Sequence, residues 1–162
     1  MRFFMILFFL LTAHLALSAE TVLVCHSQVL PKDHANPGTE TALVDTVFSS
    51  LFESGAITFD LSYDPADAAG DTVHLTDLAR KYGADKVVWL RLVWEPGVQD
   101  GLKLQKVNFR VLDGRGDTLG SGLLTIPLET PSVEQKKQTE KLSATLSGEL
   151  NKIWASIKGT AQ

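Results

Sequence analysis

The stretch RKYGADKVVWLRLVW, residues 80–94, decides how this chain reads. Arg80 and Lys81 stand where a helix ends, because cations suit the negative end of the helix dipole. Gly83 follows where a left-handed residue costs least. VVWLRLVW (87–94) is then apolar on both faces except at Arg91. That is the mark of a central strand covered on at least one side. Alternation puts Val88, Leu90, Leu92 and Trp94 on an inward face, with Trp89 and Arg91 together on the opposite one.

Downstream, Pro96 and Gly97 turn the chain, and residues 102–112 resume as a strand. Val107, Phe109 and Val111 alternate with polar neighbours, whereas Leu102 and Leu104 have the opposite parity. A bulge near Gln105 reconciles the two. DGRGD (113–117) makes a tight turn, and TLGSGLLTIPL (118–128) returns antiparallel. Its Gly120 and Gly122 either weaken the strand or admit a close neighbour. After Pro131 the apolar stripe Leu142, Leu146, Leu150, Ile153, Ile157, with Trp154 beside it, predicts a closing helix over 138–158.

Upstream, LTDLARKYG (75–83) has helical spacing, and SYDPADAAGD (62–71) before it is a polar loop. AITFDL (56–61) and TVLVCHSQVL (21–30) read as strands. Between them PKDHANPG is a loop, Thr39 caps a helix, and Leu43, Val47 and Leu51, with Val44, Phe48 and Phe52 alongside, form one apolar stripe up to Gly55. The order strand–helix–strand–helix–strand–strand–strand–helix predicts a single α/β or α+β domain. We expect two layers, with a mixed sheet of about five strands packed by three helices.

The first nineteen residues stand apart. Arg2, an apolar run from Phe3 to Leu17, and small Ser18 and Ala19 have the form of a secretory signal peptide, cut after Ser18 or Ala19. The run is shorter than a spanning helix and is broken by Thr12 and His14. No integral membrane segment is expected after cleavage, and residues 20–162 form the domain. Cys25 is poorly placed for lipidation, since Val24 precedes it and Glu20 and Thr21 interrupt the approach. As the only cysteine it forms no intrachain disulfide. The mature chain keeps 14 Lys+Arg against 19 Asp+Glu, a net charge of −5. The basic residues are scattered and outnumbered, which speaks against nucleic acid as a partner.

LARKYGADKVVWLRLVW…LQKVNFRVLDGRGDTLGSGLL resembles a pattern shared by several envelope proteins. A helix ends in Gly-Ala-Asp, a buried strand follows, and a hairpin returns to Ser-Gly. The N-terminal domain of TolB, the lipoprotein activators of penicillin-binding proteins and the curli-secretion lipoprotein are similar in this way, over about residues 75–124. The resemblance implies non-catalytic envelope work: binding other envelope proteins as an accessory or scaffold, with self-association a further option. The shared positions Gly83, Asp85, Asp113 and Gly114 are fold punctuation and carry no function across.

The residues themselves indicate no enzyme, cofactor or metal. There is no nucleophile elbow, phosphate-binding glycine loop or His-Glu-x-x-His helix. His26, His34 and His74 lack helical ligand spacing. Asp60, Asp64, Asp67 and Asp71 do not follow a calcium-loop pattern and read as solvating residues. Cys25 and His26 are strand neighbours that point to opposite faces. Candidate protein-binding residues are Trp89 and Arg91, on the outer face of the central strand, and Arg115 and Asp117 in the RGD turn. The alternatives are a small-molecule-binding module and an adhesion factor acting through Arg115-Gly116-Asp117.

Overall fold

The computed structural model describes residues 19–33, 40–62, 71–96, 102–126 and 132–160. The leader through residue 18, His34, Asp64, Asp67 and residues 127–128 lie outside these spans. The elements run β1 (Thr21–Val29), α1 (Glu40–Glu53), β2 (Ile57–Ser62), α2 (Thr72–Tyr82), β3 (Lys86–Pro96), β4 (Leu102–Asp113), β5 (Thr118–Thr125) and α3 (Ser132–Thr160). The expected order holds. One five-stranded mixed sheet has the order β2-β1-β3-β4-β5. β1 is parallel to β2 and β3, and the remaining pairs are antiparallel.

The period-2 alternation of each strand sorts its side chains into two cores. Val22, Val24, Val88, Leu90, Leu92, Trp94 and Phe109 meet Leu43, Val47 and Leu51 of α1 and Leu142, Leu146 and Leu150 of α3. This sheet-and-helix pair is the main two-layer body. On the reverse face Leu23, Cys25, Val87, Trp89 and Leu112 meet Leu75 and Ala79 of α2. β1 and β3 are therefore buried on both sides, which is why their sequences are almost unbroken in apolar residues.

Local chemistry sets the element ends. Asp71 accepts a hydrogen bond from the Val73 N–H at 3.0 Å and caps α2. The helix thus starts at Thr72, earlier than the apolar stripe shows, because its first turn is held by a cap and not by burial. Gly83 closes α2 at φ 66°. α3 reaches back to Ser132, ten residues before its stripe begins at Leu142 and six before the expected start at 138. The bulge lies where expected: the β3–β4 register passes from Val93↔Lys106 to Trp94↔Leu104, leaving Gln105 as the extra residue. A second bulge leaves Leu119 unpaired opposite Val111–Leu112. A Cβ on Gly120 would lie 2.5 Å from Ile153 Cδ1, and one on Gly122 2.4 Å from Phe109 Cε1. These glycines admit close neighbours, the second of the two roles foreseen for them.

Candidate functional site

β2 is an outer strand, and its sequence ITFDLS alternates apolar and polar side chains. The Ile57 N–H donates to the Glu20 carbonyl at 2.8 Å. By alternation Thr58, Asp60 and Ser62 turn their backbone N–H and C=O groups away from β1, where no described strand meets them. Ile57 is 50% exposed and Phe59 45%. Both share the α2 face of the sheet with Leu61, because Leu23 pairs with Phe59 and Cys25 with Leu61.

Ser50 Oγ donates to Asn151 Oδ1 at 2.9 Å, which marks the flank of α1 that faces α3. Phe52 lies about 200° further round the helix, away from α3, and is 77% exposed. Half-buried Phe48 lies on the same flank of α1.

Natural edges are commonly blunted by Lys, Pro or bulges. β2 has none of these. Its register with β1 is unbroken from Thr21↔Ile57 to His26↔Ser62, and its one charge, Asp60, is drawn to His26 Nε2 at 3.1 Å. β5, the other edge, carries the Leu119 bulge and is packed by Ile153 of α3.

The four residues expected to bind protein are not brought together. Trp89 is 6% exposed, because α2 lands on it. The Arg110 guanidinium lies 5.8 Å from its ring centroid. Trp89 packs into the α2-side core. Arg91 shares its face but is half-buried, and its Nε has no hydrogen-bond partner. Arg115 and Asp117 are exposed at the far end of the sheet, where Asp113 pairs with Lys86.

Asp113 organises their turn. Its Oδ1 accepts from the N–H groups of Arg115 and Asp117, each at 2.9 Å. Gly116 adopts φ 96°. Burial alone would raise the Asp113 carboxyl. The N–H groups of Asp117, Arg115 and Gly116, with the Arg115 charge, overcome this and hold it below its ordinary value of 3.8.

Cys25 and His26 point to opposite faces, as expected. Burial, reinforced by the Asp60 charge, pushes the Cys25 thiol up to about 12. It is a neutral thiol at physiological pH, and nucleophilic chemistry needs the thiolate. Asp60 and Asp71 are a strand ion-pair partner and a helix cap, so they have individual structural roles beyond solvation. Among the described residues no group of three or more His, Cys, Asp or Glu is placed to hold a metal ion. No described helix is long and apolar enough to cross a membrane.

The sequence gives no sign that Ile57 and Phe59 are exposed, and Phe52, expected in the apolar stripe of α1, is exposed instead because it points away from α3. Strand alternation was visible in AITFDL, but an outer position in a sheet is set by which strands lie between, and that order is not local.

No protein-family model matches the chain, and no curated protein matches it. Among solved structures, a PelC dodecamer from Paraburkholderia phytofirmans aligns over 85% of this chain and 89% of its own, at 15% identity and TM-score 0.46. The LpoB C-terminal domain from Salmonella enterica aligns over 68% and 85%, at 16% identity and TM-score 0.40. The same domain from Escherichia coli aligns over 73% and 93%, at 15% identity and TM-score 0.39.

Proposed function

We propose that this chain is a non-catalytic, exported protein of the bacterial cell envelope that binds other proteins as an accessory or scaffold. The leader-like residues 1–19 support export to the periplasm or beyond. One observation carries the binding role: β2, which no other described strand flanks on its outer side, exposes Ile57 and Phe59. Exposed apolar side chains on an edge strand mark interaction surfaces. Half-buried Arg91, on the outer face of β3, is a second contact point in this reading.

Affinity capture from the native envelope tests it. Wild-type protein is expected to retain a defined partner, and Phe59→Lys to lose it while folding normally. Equal capture by both, with Arg91→Ala also unaffected, would remove this assignment.

A second reading has an observation of its own. A groove of about 360 Å³ runs between the end of β5 and α3, lined by Leu124, Ile126, Gln138, Lys141, Leu142 and Thr145. Its mixed lining suits a small amphipathic ligand. Saturable protection of these residues from hydrogen exchange by envelope extract depleted of protein would favour it.

A further inference from the structure

We infer that the occupant of the β2 edge is a second copy of this chain, added antiparallel about a two-fold axis beside Phe59. This rests on the reading of β2 as the binding edge.

The backbone restricts the possible registers. Thr58, Asp60 and Ser62 supply the outward N–H and C=O groups, because Ile57 points inward to Glu20. In an antiparallel pair, outward residues must stand opposite outward residues. Four symmetric registers centred within the strand satisfy this, at Thr58, Phe59, Asp60 or Leu61, and those at Phe59 and Asp60 overlap the two strands most fully. A two-fold at Asp60 sets the two Asp60 carboxylates directly opposite each other, which is destabilising. A two-fold at Phe59 sets Thr58 opposite Asp60 of the partner subunit. Each of the two symmetry-related Thr58–Asp60 pairs then exchanges both of its backbone hydrogen bonds.

The same register is complementary in side chains. Ile57, Phe59 and Leu61 occupy the α2 face of β2, so Phe59 meets Phe59 of the partner subunit. Ile57 meets Leu61 of the partner subunit. The apolar stripe becomes continuous across the axis, at the close separation of non-hydrogen-bonded pairs. Asp60 keeps its contact with His26 Nε2 and faces a neutral threonine across the seam. One heteropolar apolar edge is thus self-complementary, as a closed isologous dimer requires. The contact uses a six-residue strand and a few apolar side chains, so the dimer is small and concentration-dependent.

Analytical ultracentrifugation of the protein purified from an exporting host tests this. Wild type should pass from monomer to dimer as concentration rises. Thr58→Pro removes an N–H that points away from β1, a position where edge strands accept proline. It should remain monomeric at every concentration that dimerises wild type. Phe59→Lys should do the same, and carries the test alone if the proline variant fails to fold. Leu123→Lys on β5 should dimerise like wild type. Hydrogen exchange adds an independent readout: the Thr58 and Asp60 amides should become protected only where dimer forms. A wild type that stays monomeric throughout, or a Phe59→Lys variant as dimeric as wild type, overturns the inference. If wild type is monomeric yet loses its envelope partner on Phe59→Lys, the edge binds a different protein and only the self-association fails.

Discussion

Trp154 Nε1 donates a hydrogen bond at 3.1 Å to Oε2 of Glu20, 134 positions earlier in the chain. The other oxygen of that carboxylate pairs with the Lys86 ammonium, on a side chain only 10% exposed. Glu20 therefore latches the closing helix and the start of β3 onto the residue that leads into β1. Nearby, the Thr21 N–H donates to Asp85 Oδ2 at 2.8 Å.

Replacing Glu20 by Gln removes the carboxylate in contact with the Lys86 ammonium and leaves it only the Asp113 charge. Breaking fully buried pairs costs roughly 3–5 kcal/mol, and partial exposure of Glu20 reduces this to about 2–3 kcal/mol. Burial lowers the Lys86 pKa from 10.5, opposed by the Asp113 charge. A depressed lysine penalises folding in full below its folded pKa, and the penalty lifts as pH rises toward 10.5. The deficit of Glu20→Gln should accordingly shrink between pH 7 and pH 10 in urea melts, and Lys86→Met should restore part of it.

Leu90 and Arg91 are neighbours on opposite faces of β3. Leu90 is fully buried among α1 and α3 side chains, and Leu90→Ala should cost about 2–5 kcal/mol. Arg91 is half-buried and leaves its Nε unpartnered. Arg91→Ala should stay within about 1 kcal/mol, since it removes no satisfied buried bond. Equal large losses in denaturant melts would show that both faces are load-carrying core.

The 113–117 turn is sensitive to both backbone and acid. A Cβ on Gly116 would meet Thr76 Oγ1 at 2.7 Å, at a φ of 96°, so Gly116→Ala should cost about 1–3 kcal/mol. Gly55, at φ 87° with nothing within 4 Å, should cost less as alanine, about 1–2 kcal/mol. The depressed Asp113 carboxyl contributes stability that is present above pH 3.8 and lost as pH falls through its folded value. Asp113→Asn should be less stable than wild type at neutral pH, and the two should converge in acid. Asp117→Glu should leave folding and any cell attachment unchanged. Selective loss of attachment in that folded variant would instead support adhesion through the turn.

Cys25 is fully buried between Leu61 and Trp89 of its neighbouring strands. Processing as a lipoprotein would cleave before it and remove Val22, Leu23 and Val24 from both cores. Intact-mass measurement on protein from the native host should give a chain starting at Ala19 or Glu20 without acyl groups. Acyl mass on Cys25 would contradict this.

Local sequence by itself determined the strands, the helix stops at Gly55 and Gly83, the Gln105 bulge and the inward face of β3. Each follows from a short-range rule: alternation, a stripe, or the tolerance of glycine for positive φ. Tertiary structure decided what those elements face. Trp89 and Arg91 share one strand face, yet only Trp89 is covered, because α2 crosses that face at one level and not the next. Likewise AITFDL reads as a strand from its own residues, but its exposure does not. β2 is an edge because β3 takes the place on the far side of β1. Exposure is a property of strand order, set by pairings between residues more than 25 positions apart, and no local pattern encodes it.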